Sequence, residues 1–208
     1  MQLGRSTLFA AVIALASTAA HADNPKTYKL TIGDVTVDID PGETLDVPMP
    51  DGKQTKVTLS LNDFATYAGA MFSFVHPTNV AVTKTELDPH IHQYLMASAL
   101  GTLIIIQEYG SMNPTSLDNL MLQELTKETV QAGGELSQQP GSRTLPDGKQ
   151  LTGLTAKVKT KADTTDFEIL AYGTADQGVL VVTRVDESNA AKEGAMIEKF
   201  WESLQLKM

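Results

Sequence analysis

The sequence predicts an α+β fold of layered type, and three observations carry that reading. Short segments near the start alternate apolar with polar residues, the period of half-buried strands. A continuous apolar run at 102–109 is followed directly by a helical pattern. Three further strand patterns then lead into a closing amphipathic helix, and an apolar helix face needs a sheet to cover.

The alternating segments are "TYKLTI" (27–32), "VTVDID" (35–40), "ETLDVP" (43–48) and "QTKVTLSL" (54–61), separated by Gly-Asp, Pro-Gly and Asp-Gly. Such punctuation marks tight turns, so residues 23–70 read as an N-terminal β-hairpin segment. "PDGKQ" occurs at 50–54 and again at 146–150. Asp-Gly supplies the positive φ that hairpin turns demand, so the repeat reads as recurring turn chemistry rather than duplication.

From Met71 the segments "MFSFVHP", "NVAVTKTEL", "HIHQYLMAS" and "TLIIIQEY" read as strands, the last covered on both faces. Thr115 is placed to cap a helix, with Asp118 three residues on, near the positive helix end. Leu117, Leu120, Met121 and Leu125 would form its buried stripe, and Gly133-Gly134 would stop it. Strands follow at 150–158, 165–173 and 178–186. Ser188 then caps a closing helix whose Ile197, Phe200, Trp201 and Leu204 share one face.

Residues 1–22 read as a secretory leader. Arg5 is the positive start, Leu8 to Ala16 the apolar stretch, and Ala20-His21-Ala22 an A-x-A cleavage site. That stretch is shorter than the ~20 residues that cross a bilayer, so the expected location is periplasmic or secreted, without a membrane anchor. Cleavage after Ala22 would leave 186 residues with 15 basic and 25 acidic side chains, a net charge of −10. This charge argues against nucleic acid as a partner, because phosphate binding relies on clustered Lys and Arg. The chain has no cysteine, which removes thiol nucleophiles, thiolate metal sites and a lipidated anchor.

"FSFVHPTNVAV", "TLIIIQEYGSMNPTSLDNLMLQELTKE" and "FEILAYGTADQGVLVVTRVDESNAAKEGAMIEKFWESLQL" resemble the opening strand pair, the buried strand with first helix, and the final hairpin with helix of PsbP-like and DcrB-like envelope proteins. The resemblance covers residues 71–207 and implies an α/β/α-type sandwich over 71–208, used in accessory and binding roles without shared catalytic residues. It does not extend to the hairpin segment. DcrB-like proteins are typically lipid-anchored, for which this chain lacks the cysteine.

The strongest local chemical signal is "DPHIHQY" (88–94). On a strand over 90–97, His90, His92, Tyr94 and Met96 would share one face, and two imidazoles at that spacing suit one metal. Asp88 is the nearest further ligand, with His76 and Glu86 as other candidates. Two imidazoles alone rarely hold zinc, because structural sites use four ligands and catalytic ones three plus water. The competing reading is histidines on a half-exposed sheet face. "DIDPGE" (38–43) gathers acids without the spacing of a calcium loop, and "GSMNPTS" (110–116) presents helix-start amides that could meet an anion. No serine lies in G-x-S-x-G or S-x-x-K, and no cofactor motif is present.

The leading functional expectation is therefore an exported, non-catalytic accessory or interaction protein of the bacterial envelope, its partner an envelope protein or a small ligand. The alternatives are a metal-binding protein or metal-dependent enzyme centred on His90 and His92, and a small-ligand binding protein.

Overall fold

A computed structural model describes residues 26–49 and 51–208. The expected leader, residues 1–22, lies outside them. The chain divides into two compact units, with the break after Ser60.

In the first unit β1 (Tyr28–Ile32) pairs antiparallel with β2 (Val35–Ile39), and β3 (Thr44–Pro48) with β4 (Gln54–Thr58). Alternation sets which side chains are buried, and Ile39 and Val47 are sealed from solvent. The acids of "DIDPGE" have internal partners. Asp40 accepts the Thr27 N–H at 2.8 Å, Glu43 pairs with Lys26 at 2.8 Å, and Asp38 with Lys29 at 2.8 Å. The Thr27 amide holds the Asp40 carboxyl below its usual range, and the Lys26 ammonium does the same for Glu43.

The second unit begins with a strand that the sequence pattern does not announce, β5 (Phe64–Ala68), which pairs with β6 (Phe72–Pro77). Residues 64–68 were expected in the hairpin segment, yet their ladder partners are here. Next come β7 (Val82–Asp88), β8 (Ile91–Ala97), β9 (Leu103–Tyr109), helix α1 (Asp118–Gln131), β10 (Glu135–Thr144), β11 (Gln150–Lys159), β12 (Thr164–Gly173) and β13 (Gly178–Asp186). Helix α2 (Ala190–Ser203) and the two-residue β14 (Gln205–Leu206) end the chain. The main sheet has seven strands, all antiparallel, in the order β10-β11-β12-β13-β9-β8-β7. A small sheet runs β14-β6-β5.

Alternate residues of the main sheet feed two apolar clusters. Ile104 and Ile106 of β9, Leu170 of β12 and Val181 of β13 pack with Phe72 and Phe74 of β6 and with Phe200, Trp201 and Leu204 at α2. Ile105 and Tyr109, Ile169 and Val182 pack with Leu122 of α1. The unbroken apolar run of β9 follows from this, since both of its faces are covered.

Three sequence expectations are corrected, and one strand forms where none is expected. Residues 135–144 form a strand despite Pro140 and Gly141, because β10 is an edge strand whose outer side needs no ladder donors. Asn113, not Thr115, caps the first helical turn: its Oδ1 accepts the Thr115 N–H at 3.0 Å, Pro114–Ser116 form a 3-10 turn, and α1 starts at Asp118. Leu120 is 56% exposed. It lies roughly 200° round the helix from Leu122, which, with Thr126, forms the buried line. Ser188 does not cap α2; its hydroxyl donates instead to Asp163 Oδ2.

The repeated "PDGKQ" makes one turn twice. Gly52 donates to Met49 O and Gly148 to Leu145 O, both at 2.9 Å, with φ of +81° and +84°. In each, the aspartate (Asp51, Asp147) accepts the N–H of the lysine two residues on at 3.1 Å.

Candidate functional site

The histidine stretch is a hairpin end. β7 closes with a bulge between Glu86 and Asp88, Pro89 and His90 form the turn, and β8 begins at Ile91. His90 is therefore exposed on a turn rather than paired on a strand face with His92. Asp88 folds back onto the turn itself, its Oδ1 accepting the His90 backbone N–H at 3.1 Å. His76 sits in the small sheet with Nδ1 between the carbonyls of Pro77 and Val80, at 2.9 and 3.0 Å. Among the described residues no three His, Asp or Glu side chains are placed together to hold a metal ion. The amides of "GSMNPTS" are likewise occupied from within, that of Thr115 by Asn113 and that of Leu117 by Pro114 O.

His92 does stand in register between Glu86 on β7 and Glu108 on β9. Glu108 is 2% exposed, a buried acid that the sequence reading missed. Its Oε1 accepts the Met71 N–H at 2.7 Å and its Oε2 the Tyr94 hydroxyl at 2.8 Å. Burial, and then the bond to Glu108, raises the Tyr94 phenol above its usual range. The carboxylate thus fastens the turn between β5 and β6 to the main sheet. Gly69 is part of the same fit, because a Cβ there would come 2.7 Å from Glu108 Oε1. Replacing Glu108 with Ala is expected to cost on the order of 1–3 kcal/mol for each of the two donors left without an acceptor. Glu108→Gln, which keeps one acceptor, is expected to cost less. Urea denaturation of both variants checks the order, and equal midpoints for wild type and Glu108→Ala would refute the fastening role.

A concavity lies elsewhere, on the α2 side of the main sheet. Beside Ile197 of α2, strands β10 to β13 floor an open trough of about 540 Å³ lined by Gln139, Thr155, Lys157, Glu168 and Thr183. A second hollow of about 350 Å³ adjoins it, bordered by Arg143, Leu145, Pro146, Glu198, Trp201 and Glu202. The two meet at an ion pair, Arg143 Nη2 to Glu168 Oε2 at 3.0 Å, and the Arg143 guanidinium also lies 4.8 Å from the centre of the Trp201 ring. Lys157 Nζ is 2.7 Å from Asp166 Oδ1, and that carboxylate raises the lysine above its usual range. A sequence signal for this surface exists only in hindsight: β11 and β12 place polar residues at alternate positions on the face where a covering helix would require apolar ones.

Fold and trough together define an α+β protein of antiparallel sheets and two helices, with an open, polar concavity whose charged groups are paired. No protein-family model matches the chain, and no curated protein matches it. Among solved structures it is similar to the solution structure of cyanobacterial PsbP (CyanoP) from Synechocystis sp. PCC 6803, with 8% identity and a TM-score of 0.48 over 71% of this chain and 94% of that one. It is also similar to a crystal structure from Bacteroides thetaiotaomicron VPI-5482, with 12% identity and a TM-score of 0.38 over 71% of this chain and 49% of that one. The first belongs to the family that the sequence resembles; likenesses of this size carry no argument about activity.

Proposed function

We propose that this chain is an exported, non-catalytic accessory protein of the bacterial envelope that works by binding, with the trough beside α2 as its binding surface. The observation that carries the reading is the state of the trough's charged groups. Catalysis needs acids and bases poised for proton transfer, with pKa values near the working pH. Here Lys157 is held protonated by Asp166, and Arg143 and Glu168 neutralise each other. A volume of about 540 Å³ lies within the ~300–1,000 Å³ of ligand sites. Export is supported by the leader pattern of residues 1–22. Among the described residues no helix is long and apolar enough to cross a membrane. The two apolar clusters, one with each helix, support α/β/α layering, and the paired strands β1 to β4 support the hairpin extension.

The test is photo-crosslinking in the native host, with a benzophenone amino acid at Ser137 on the rim of the trough and, as control, at Lys127 on the exposed side of α1. An envelope adduct at 137 and none at 127 is expected. Intact mass of the same material is expected to show loss of residues 1–22. Equal labelling at both positions, or a mature chain that keeps Met1, would refute the proposal.

A further inference from the structure

The trough gathers hydroxyls and an amide that have no protein partner among the described residues. Several such groups elsewhere are bonded internally, Thr126 to Leu122 O at 2.7 Å, Thr165 to Asp186 at 2.7 Å, Ser203 to Lys199 O at 2.7 Å, and Gln107 to Gln93 at 2.9 Å, while the Thr102 hydroxyl is buried without a partner among the described residues. In the trough, Ser137, Gln139, Thr155 and Thr183 line one cavity and none of their side chains makes a hydrogen bond among the described residues; Ser137 and Gln139 are exposed, and Gln138 beside them donates to Asn119 Oδ1 at 3.2 Å. Thr183 is only 4% exposed, and the Thr155 hydroxyl is buried with no partner. A polar side chain in such a position normally has a partner, since leaving it without one forfeits its hydration for nothing. The strand register sets these groups in a row. Gln139 faces Thr155 across β10 and β11, Thr155 faces Glu168, and Glu168 faces Thr183 on β13, so the donors and acceptors succeed one another at the ~4.8 Å strand spacing.

Three properties define what would fit. Lys157 and Asp166 cancel within the lining, and Glu168 is paired with Arg143 of the adjoining hollow, so no charged group of the trough stands without a counter-ion to attract an ionic ligand. The unpartnered groups include hydroxyls and an amide, each both donor and acceptor, so the ligand should itself present both. The side chain of Ile197 on the wall, with Val185, offers a small apolar surface beside the polar row. A peptide would seek the backbone groups of a sheet edge, whereas this surface is a sheet face offering side chains.

We propose that the trough is a binding site for a neutral, polyhydroxylated ligand, a saccharide, whose hydroxyls bond to Gln139 and Thr183 while a ring face rests on Ile197. This rests on the trough being the binding surface argued above, and it names the class of ligand.

Calorimetric titration of the full processed chain with maltose, cellobiose and N,N′-diacetylchitobiose tests it, with spermidine and citrate as charged controls. Binding of at least one disaccharide and of neither control is expected. Gln139→Ala and Thr183→Val should each weaken that binding at least 10-fold, while Thr183→Ser, which keeps the hydroxyl, stays within about threefold. Thermal melts of every variant separate lost binding from lost folding. Binding of no disaccharide, tighter binding of a charged control, or affinity unchanged in both folded variants would overturn the assignment. An envelope adduct at position 137 that none of the saccharides displaces would refute the ligand class while leaving the binding role intact; no adduct at all would remove both.

Discussion

Trp201→Ala is expected to lower the unfolding free energy by ~3–5 kcal/mol, the range for emptying a large aromatic site in a core. Trp201 is 3% exposed and packs edge-on against Phe200 at 5.1 Å, and Phe200 in turn meets Phe74 of β6 at 5.1 Å. Removing the indole therefore uncovers the contact between α2, the small sheet and the main sheet together. Trp201→Phe is expected to lose much less. The indole N–H is buried with no acceptor, so the phenyl ring sheds an unpaired donor while keeping most of the apolar surface. Chemical denaturation gives both values, and a Trp201→Ala midpoint within error of wild type would show that α2 does not hold the layers together.

Gly153→Ala is expected to cost ~3 kcal/mol or more, at or beyond the upper end of overpacking, through steric conflict rather than lost contact. A Cβ at this position in β11 would collide with the Ile169 carbonyl oxygen on β12, the next atoms being Ile169 C and Leu170 Cα, both at 3.2 Å. All three atoms are backbone. β11 is bonded on both sides, to β10 and to β12, so it cannot step away without breaking a ladder. Gly194 on α2 is the control, since nothing lies within 4 Å of its added Cβ. Gly194→Ala should instead stabilise by ~0.5–1 kcal/mol through helix propensity. Thermal or urea unfolding of the pair should move in opposite directions. The same sign for both would mean that the approach at Gly153 relaxes freely.

What the sequence made legible is what apolar periodicity encodes. The run at β9 reads as covered on both faces because it is, and the face of α2 reads correctly because Phe200, Trp201 and Leu204 are all buried. β10 escaped notice because an edge strand tolerates Pro140 and a polar composition that elsewhere signal a loop. The cap of the first helical turn lies two residues before Thr115, since Asn113, Thr115 and Ser116 are all competent and only the path of the chain selects among them. The site was least legible. The spacing of His90 and His92 says nothing about what neighbouring strands bring, and the turn at Pro89 removed His90 from the strand. Glu108 did carry a signal: an acid inside an otherwise apolar run has to find partners, and here they are Tyr94 and Met71. The trough is formed by four strands spread over residues 135–186, and its row of unpartnered groups exists only through register.

The smallest strand has a consequence for timing. β14 is two residues long, yet it pairs Leu206 with Phe72 and Gln205 with Ser73, Lys207 donates to Met71 O at 2.8 Å, and Val75 donates to Ser203 Oγ at 2.9 Å. These bonds join positions about 130 residues apart, so the small sheet cannot be completed before residues 203–207 are in place. Contacts of such long sequence separation form slowly, because loop closure precedes any gain from them. Until residues 204–206 dock, Phe72 and Phe74 lack Leu204 and Leu206 to cover them. Completion of the small sheet is therefore a late event in folding, and the aromatic residues of β6 stay uncovered until it happens.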